Sequence, residues 1–437
     1  MKICMFTNTY LPHVGGVAKS VACFKEDLEK SGHHVLVIAP TYSEQNKEVS
    51  VDKDKSVIYL PAIQHFSGGD FSVRLPMPLI VADAVDEFVP DIVHSHHPFL
   101  MGDAAIRTAR KRDIPIVFTH HTLYERYTHY TPVDSPAMKR FAVELSTQYA
   151  NLCDHIIAPS ESIMALLEER GVEKPITVIP TGVDLNFFAE GNGDTFRKEY
   201  DIDPDTYVVG HVGRLALEKN LDYLTRAVAR FLKKNRQAVF VVVGKGDDAD
   251  RIRQICDKEK VADQLIMTGA RTGRNLADVY AAFDIFVFAS KTETQGMVLT
   301  EAMAAGSPVL ALDASGAREV LKDGENGRLL DADTSSEQFA QHLDKICQDT
   351  ESLRLWKAGA YQTAIDFSRE KSARRLEDVY RLLVDAAKKK PPISEDEFQI
   401  WDELLKAIDV EWNLLVEKAK AFLHSGVSES RLKDIEE

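Results

Sequence analysis

The chain has 437 residues, of which 44% are hydrophobic and 28% are charged, and its formal net charge at pH 7 is −15. This length suits about two or three soluble domains, and the negative charge argues against a nucleic acid as the main partner. The sequence contains no run of about 18 apolar residues that could span a membrane, and its first apolar segment is too short for a signal peptide. The five cysteines include no C-x-x-C pair, which is typical of reduced thiols in a cytosolic protein.

Short apolar runs that alternate with helical stretches make up most of the chain. Uninterrupted Val, Ile and Leu runs of this kind are typical of strands that are buried on both faces of a parallel sheet. Right-handed crossovers then place helices on both faces of the sheet. The pattern predicts an α/β protein with strands at residues 3–6, 34–39, 57–60, 92–94, 114–118, 156–158, 177–179, 208–212, 239–243, 265–268, 285–289 and 309–312.

The strand pattern breaks once, between residues 180 and 207, where Asp, Asn, Gly and Pro accumulate. We interpret this stretch as the connection between two doubly wound domains, residues 1–183 and 184–359. Helical residues continue to 387, and a helical tail of residues 388–437 follows a Lys-Lys-Lys-Pro-Pro break. The apolar face of the tail predicts packing on the body of the protein or on a second subunit, which makes it the candidate surface for oligomerisation.

Gly15 and Gly16 follow the first predicted strand and precede a helix. Their lack of side chains lets the backbone approach a phosphate at the helix N-terminus, although a plain turn explains a glycine pair equally well. The spacing is not the G-x-G-x-x-G of a dinucleotide fold, which disfavours a hydride-transfer enzyme.

A block rich in His and Tyr, residues 119–130, follows the strand predicted at 114–118. Ligands of doubly wound sheets bind outside the carboxyl ends of the strands, so contacts with a hydroxyl-rich ligand are expected here. His120 and His121 are adjacent and point in opposite directions, and we expect His121 to face the ligand. The alternative is a metal site that includes Glu125, although a complete ligand set is not evident.

Two cations, Arg214 and Lys219, follow the strand predicted at 208–212. Arg214 offers a planar fork for a diphosphate and Lys219 a compact charge. The alternative for Arg214 and Lys219 is a surface ion pair with Glu218. Both cations follow a strand end that is expected to face a cleft, which favours the diphosphate.

A second glycine-bearing strand end, Gly269 with Arg271 nearby, is a candidate contact for a nucleobase. Asp-x-Asp pairs also occur, and in some transferases such a pair holds a metal ion on the diphosphate. Here they lie in polar connections, and we interpret them as turn residues.

Two carboxylates stand eight residues apart near the end of the second domain. Glu293 lies in the loop after the strand predicted at 285–289, and Glu301 lies in the helix that follows. The strand, a loop with Gly296 and the helix N-terminus together form an anion site. Because carboxylates accept hydrogen bonds from hydroxyl groups, this arrangement suits a sugar nucleotide.

Taken together, these motifs resemble those of the GT-B glycosyltransferases of family 4, which are retaining enzymes that use nucleotide sugars. The resemblance implies two Rossmann-like domains that face a cleft, the first for the acceptor and the second for the nucleotide sugar, with a helix at about 360–387 that crosses back to the first domain. It covers the chain to about residue 385 and rests on Gly15-Gly16, Thr119-His-His-Thr122, Val178-Ile-Pro-Thr-Gly-Val-Asp184, Gly213-Arg214 with Lys219, and the E-x7-E pair of Glu293 and Glu301.

The resemblance also implies a role for each residue of the site, and it implies catalysis without a metal ion or other cofactor. The residues that bind the donor diphosphate would be Gly15, Gly16, Arg214 and Lys219. The residues that bind the transferred sugar would be Glu293, Gly296, Met297 and Val298, with His121 near the reacting sugar and Glu301 on the ribose.

The segment from His121 to Tyr130 resembles the block of bacterial transferases that glucosylate 1,2-diacylglycerol. This resemblance implies UDP-glucose as donor, a lipid acceptor near Tyr124, Tyr127 and Tyr130, and a cytoplasmic protein attached peripherally to the inner face of the plasma membrane. The basic residues 107–112 are either a solvated helix end or a contact with that membrane surface.

Several functions stay open on the sequence alone. If the chain is a family-4 transferase, the alternatives for its acceptor are a lipid and a soluble molecule such as a sugar, inositol or a polysaccharide. Other GT-B proteins are epimerases or phosphorylases, and a sugar-nucleotide-binding regulator is a candidate from outside the enzymes. For a transferase we expect retention by same-face attack, since no carboxylate can be placed on the far side of the sugar.

Overall fold

The computed structural model describes residues 1–13, 15–41, 50–52, 54–61, 78–126, 128 and 135–389, with the backbone alone at 78–82. The strands in these ranges are β1 Lys2–Phe6, β2 His34–Pro40, β3 Ser50–Val51, β4 Val57–Leu60, β5 Ile92–Ser95, β6 Ile116–Thr119, β7 His155–Ala158, β8 Ile176–Val178, β9 Tyr207–Val212, β10 Ala238–Val243, β11 Leu265–Gly269, β12 Ile285–Phe288, β13 Val309–Leu312 and β14 Gly327–Leu330. The α-helices are α1 Gly16–Lys30, α2 Pro78–Phe88, α3 Met101–Arg112, α4 Pro136–Leu152, α5 Glu161–Glu169, α6 Leu185–Ala189, α7 Gly193–Glu199, α8 Leu221–Lys234, α9 Ala249–Glu259, α10 Arg274–Ala281, α11 Met297–Ala304, α12 Ser336–Gln348, α13 Thr350–Asp366 and α14 Arg369–Ala387.

The first domain is built on a sheet in which the described strands have the order β3-β4-β2-β1-β5-β6-β7-β8. Its pairs are parallel except for β3 with β4. The chain builds outward from β1 to β2 and then returns to place β5 on the other side of β1. The strand order therefore reverses between β1 and β5, and a crevice opens at their carboxyl ends.

The second domain repeats this plan with the order β11-β10-β9-β12-β13-β14. All of these pairs are parallel. The chain moves outward from β9 to β11 and returns to β12, so the order reverses between β9 and β12. The loops that follow these two strands therefore border the second crevice.

Helices cover both faces of both sheets, which explains the continuous apolar runs in the sequence. In β1, Cys4 and Phe6 pack into one apolar cluster, whereas Ile3 and Met5 pack into another cluster on the opposite face. This division follows from the alternation of side chains along a strand. The strands of the second sheet divide in the same way between two clusters.

The last described helix, α14, returns to the first domain and packs against α1. At the crossing point the amide of Val183 donates to the carbonyl of Phe367 at 2.8 Å, and the amide of Arg369 donates to the carbonyl of Val183 at 3.1 Å. The guanidinium of Arg369 forms two hydrogen bonds with the carboxylate of Asp27 in α1, at 2.9 and 2.7 Å. The two domains are therefore joined by two adjacent chain segments.

The twelve strands predicted from the sequence are present, and their bounds differ from the prediction by at most two residues. The sequence analysis missed β3, which has two residues, and β14, an edge strand in which only part of the surface is buried. The predicted domain boundary at 183 falls between β8 and α6, and the boundary at 359 falls inside α13, with the chain turning at 367–368 before α14. Most of the predicted tail, residues 390–437, lies outside the described residues.

Candidate active site

The loops after β9 and β12, the two strands at the switch point of the second sheet, are joined by hydrogen bonds. The side-chain amide of Asn220 donates to the carbonyl of Ala289 at 3.1 Å. The hydroxyls of Ser290 and Thr292 both donate to the carbonyl of Glu218, at 3.2 and 3.3 Å. The loop that carries the predicted diphosphate-binding cations therefore lies beside the loop that carries the first predicted carboxylate.

The ammonium of Lys219 forms an ion pair with the carboxylate of Glu293 across these two loops. Both side chains are largely buried, with 17% and 19% of their surface exposed. Gly316 borders Glu293, and a Cβ atom at Gly316 would lie 2.6 Å from the Cβ atom of Glu293. The absence of a side chain at Gly316 thus leaves the space that Glu293 occupies.

Arg214 is half-exposed and forms an ion pair with the carboxylate of Glu218 within its own loop. This is one of the two alternatives for Arg214 that the sequence left open. The ion pair does not decide between them, since a guanidinium with five N–H groups can contact a carboxylate and a phosphate together. The position of Arg214 at the switch point is the one that the diphosphate hypothesis requires.

Two helix N-termini contribute unpaired backbone amides, one from each domain. Helix α1 begins at Gly16 with Gly15 as an extended cap, and neither a side-chain cap nor an acidic residue occupies its first turn. Helix α11 begins at Met297 and continues with Val298, and its cap is Gly296 with a φ of 73°, again with no side-chain cap. The first amides of a helix have no partner within it and favour anions.

The second predicted carboxylate, Glu301, lies one turn further along α11 and is 6% exposed. Its Oε2 atom accepts a hydrogen bond from the hydroxyl of Tyr280 at 2.8 Å, and its Oε1 atom is paired with the ammonium of Lys19 in α1. Glu301 is therefore contacted by both domains. Burial and the charge of Glu301 raise the pKa of Tyr280, so that this hydroxyl remains a hydrogen-bond donor.

His121 follows β6 and is hydrogen-bonded to a second histidine. Its Nε2 atom lies 2.9 Å from Nδ1 of His96, and the two rings stack with centroids 5.2 Å apart. The ring of His94 lies against that of His96 in a tilted arrangement, with centroids 4.1 Å apart, and His94 also contacts the hydroxyl of Tyr380 in α14. Burial and then the neighbouring histidines lower the pKa of His96 and of His121 well below the usual value. His121 is therefore neutral at pH 7 and can exchange hydrogen bonds with hydroxyl groups.

The loop of Glu293 is also tied directly to the first domain. The hydroxyl of Thr294 donates to the carbonyl of His121 at 2.9 Å, and the carbonyl of Thr294 accepts from the hydroxyl of Ser160 at 2.7 Å. The side-chain amide of Gln295 both accepts from the amide and donates to the carbonyl of Thr181, each at 2.7 Å. The predicted sugar-binding residues of the two domains therefore lie on either side of one interface.

Comparison with known protein families matches both halves of the chain. The model described as "Glycosyltransferase Family 4" matches residues 14–187, and the model described as "Glycosyl transferases group 1" matches residues 192–363. A protein of Acholeplasma laidlawii named α-monoglucosyldiacylglycerol synthase is 30% identical, and the match covers 89% of this chain and 99% of that protein. The chain belongs to the family-4 glycosyltransferases. The family resemblance that the motifs indicated is therefore confirmed.

Other relatives of this glycosyltransferase show how broad the family is. A GDP-mannose-dependent α-mannosyltransferase of Corynebacterium glutamicum is 29% identical, and the match covers 82% of this chain and 83% of that protein. The crystal structure of Anabaena Alr3699/HepE in complex with UDP aligns with a TM-score of 0.70 and 20% identity, covering 88% of this chain and all of that chain. The fold of the glycosyltransferase is GT-B, as the sequence predicted.

Some predicted site residues of the glycosyltransferase lie apart from this constellation. Gly269 ends β11 with a φ of 70°, at the edge of the sheet. The guanidinium of Arg271 contacts the carboxylate of Glu199 at 2.6 Å and the hydroxyl and ring of Tyr200. The structure therefore directs Arg271 towards α7, and its role near a base stays a prediction.

The predicted acceptor residues are only partly described. Tyr124 is described, and burial raises the pKa of its hydroxyl, for which the described part of the chain offers no hydrogen-bond partner. Tyr127 and Tyr130 lie outside the described residues. The metal site that the sequence left open with Glu125 gains no support, because Glu125 pairs with Arg170 at 2.7 Å. Across the described ranges, no group of three or more His, Cys, Asp or Glu side chains could hold a metal ion.

Sequence reasoning missed four residues that hold the site residues in place. Lys19 and Tyr280 contact Glu301, His96 contacts His121, and Gly316 makes room for Glu293. The position of His96 directly after β5 is the one signal that could have been used, because it is equivalent to that of His121 after β6. The other three contacts join residues that lie 21 or more positions apart, with no local pattern that pairs them.

Proposed function

We propose that this glycosyltransferase moves glucose from UDP-glucose to 1,2-diacylglycerol, with retention of configuration and without a metal ion. The observation that supports a nucleotide-sugar substrate most directly is the Lys219–Glu293 ion pair at the switch point of the second sheet, beside the N-terminus of α11. We infer from this arrangement that Lys219 binds the diphosphate and Glu293 the sugar hydroxyls, beside the helix N-terminus that follows the same loop.

In the proposed reaction the bond between the sugar C1 atom and the diphosphate oxygen breaks, and negative charge builds up on the diphosphate. Arg214, Lys219 and the first amides of α1 and α11 would stabilise this charge where it develops. Loss of one such donor raises a barrier by about 2.7–4 kcal/mol, or about 10²–10³ in rate. These cationic and dipolar groups supply the role that a metal ion has in other transferases, which is why we propose that no metal is required.

We propose that the acceptor hydroxyl attacks C1 from the face that the diphosphate leaves, so that configuration is retained. The acceptor proton passes to the departing diphosphate oxygen, and the new C1–oxygen bond forms as the old one breaks. His121, which is neutral and held by His96, would orient a hydroxyl of the sugar by hydrogen bonding. Contact between the domains would exclude water from the site and limit donor hydrolysis.

The choice of donor and acceptor rests on the relatives. One is named for glucosyl transfer to diacylglycerol, and another is named for GDP-mannose. We favour glucose and diacylglycerol because the match to the former covers more of the chain and nearly all of the relative. A lipid acceptor implies a cytoplasmic protein bound peripherally to the inner face of the plasma membrane.

The structure bears on membrane attachment at two places. In the ranges that the structure describes, no helix is long and apolar enough to cross a membrane. Of the basic residues of α3, Arg112 pairs with Asp86, and Arg110 donates to the carbonyl of Leu152 at 3.0 Å. These contacts favour the interpretation as a helix end, and membrane contact through α3 or through the tail stays a prediction.

The experiment is a panel of UDP-glucose, UDP-galactose, GDP-mannose and ADP-glucose, each incubated with and without diacylglycerol vesicles and analysed by mass spectrometry. The proposal predicts a glucosyl lipid from UDP-glucose alone among these donors, formed about 10²–10³ times more slowly by the Lys219→Met variant. A product from GDP-mannose would contradict the proposed donor. A product from a soluble acceptor such as inositol would contradict the proposed acceptor. Release of free sugar or an epimer regardless of vesicles would contradict a lipid transferase.

A further inference from the structure

Lys19 crosses from the first domain to the carboxylate that is expected to bind ribose. It lies in the first turn of α1, and its amide donates to the carbonyl of Gly15 at 3.0 Å. Its ammonium is paired with Oε1 of Glu301 in α11 and lies 5.8 Å from the centre of the Phe188 ring. Thus a cation from the domain opposite the nucleotide site contacts Glu301, with an aromatic ring beside it.

The backbone of Lys19 is held at this place by buried polar groups. The hydroxyl of Thr181 donates to the hydroxyl of the next residue, Ser20, at 2.7 Å. Gln295 in turn exchanges two hydrogen bonds with the backbone of Thr181. Ser20, Thr181 and Gln295 are each at most 5% exposed. The backbone that carries Lys19 is therefore fixed at the interface between the domains, and its side chain, which is 45% exposed, reaches across that interface to the buried carboxylate of Glu301.

Lys19 keeps its positive charge in this environment. Burial lowers the pKa of Lys19, but the charge of Glu301 and the hydrogen bond to it raise the pKa by more, so the net shift is upward. Lys19 therefore remains an ammonium at neutral pH.

The hydrogen-bonding capacity of Glu301 suggests what this contact does. A carboxylate offers about four acceptor sites. Lys19 occupies one on Oε1, and Tyr280 occupies one on Oε2. About two sites remain, one on each oxygen, which is the number that the adjacent 2′- and 3′-hydroxyls of a ribose require. With both oxygens fixed, the carboxylate cannot turn to favour one hydroxyl over the other.

We propose that Lys19 is a positioning residue that, by fixing Glu301, makes the site select ribonucleotides over 2′-deoxyribonucleotides. This inference rests on the proposed function, in which Glu301 binds the ribose of the donor. Without Lys19, Glu301 would keep Tyr280 as its partner but could rotate, and a nucleotide that lacks the 2′-hydroxyl would lose less on binding.

The test is calorimetric titration of UDP and 2′-deoxy-UDP into the full chain, with GDP and 2′-deoxy-GDP in parallel. The variants are Lys19→Met, which removes the charge at similar volume, and Lys19→Arg, which keeps it. The matched control is Lys25→Met, because Lys25 lies in the same helix and pairs with Glu29 at 2.8 Å, away from Glu301. Thermal unfolding of each variant shows that it is folded, and Lys19→Gln replaces Lys19→Met if the latter does not fold.

The wild type should bind the ribonucleotide about ten- to a hundredfold more tightly than its 2′-deoxy form, the range of one hydrogen bond to a charged group. Lys19→Met should lower this ratio several-fold, while Lys19→Arg and Lys25→Met should retain it. A Lys19→Met variant that keeps the wild-type ratio, or that weakens both nucleotides equally, would overturn the inference. A wild type that binds neither UDP nor GDP would instead refute the proposed function itself.

Discussion

Replacement of Glu293 tests the division of the site into a sugar contact and a diphosphate contact. A hydrogen bond to a charged group contributes about 1.5–3 kcal/mol and a neutral one about 0.5–1.5 kcal/mol. If Glu293 accepts two hydroxyls of the transferred sugar, Glu293→Gln loses about 2–3 kcal/mol, which lowers kcat/KM about 30- to 150-fold. Glu293→Ala loses both bonds, about 3–6 kcal/mol, and lowers kcat/KM by about 10²–10⁴.

Binding of UDP without the sugar should respond differently. Removal of the Glu293 carboxylate leaves the Lys219 ammonium without that partner, so the affinity for the diphosphate should stay within about threefold of the wild type or rise. The counterpart, Lys219→Met, should weaken UDP binding. Steady-state transfer assays and calorimetry with UDP measure the two quantities. If Glu293→Ala lost transfer activity and UDP affinity to the same extent, the role of Glu293 as a sugar contact would be refuted.

Three further outcomes are expected. Gly316→Ala should reduce transfer in the same way as Glu293→Ala, since the added Cβ atom would meet that of Glu293 at 2.6 Å. Gly324→Ala, at a similar φ of 78° with open space around it, should cost only backbone strain and keep transfer, and equal transfer by both variants would contradict this account. Burial lowers the pKa of His94 and of His97 to about 3, so below about pH 6.5 the unfolded chain binds protons that the folded chain does not. The free energy of unfolding should therefore decrease as the pH is lowered from about 6.5 towards 3, by up to about 1.4 kcal/mol per pH unit for each of these histidines, and a urea midpoint that is higher at pH 5.5 than at pH 7.5 would refute this. Transfer in EDTA should equal transfer in magnesium, and restoration of activity by added metal after dialysis against EDTA would show that a metal takes part.

The strands could be predicted because local sequence decides them. Strands buried on both faces require uninterrupted apolar runs, and the runs at 57–60 and 309–312 match β4 and β13 residue for residue. β14 was missed because it is a short edge strand, Gly-Arg-Leu-Leu, with only two adjacent apolar side chains, a pattern that is also compatible with a loop. The order of the strands in each sheet, in contrast, depends on the crossovers between them. The sequence therefore predicted the class of fold but not the strand order.

The residues of the site could be predicted where a sequence motif directly follows the end of a strand. Glu293, Glu301, Arg214 and Lys219 follow strands β9 and β12, and the switch point brings those strands together. The direction of a side chain after a strand end is not fixed by sequence, so Arg271 was placed near a base although its guanidinium contacts Glu199.

Contacts between the domains were beyond sequence reasoning for a different reason. Lys19 and Glu301 are 282 positions apart, and nothing local to either residue marks the other as its partner. The same holds for the contact between Thr294 and His121, which depends on how the two domains meet. These pairs form only where the two domains meet.

The most direct test of the central claim is a crystal structure of the full chain with UDP-glucose. The account predicts the diphosphate within hydrogen-bonding distance of Arg214 and Lys219, glucose hydroxyls on Glu293, and the ribose hydroxyls on Glu301. A nucleotide bound elsewhere, or bound in this cleft with its diphosphate away from both cations, would contradict the account.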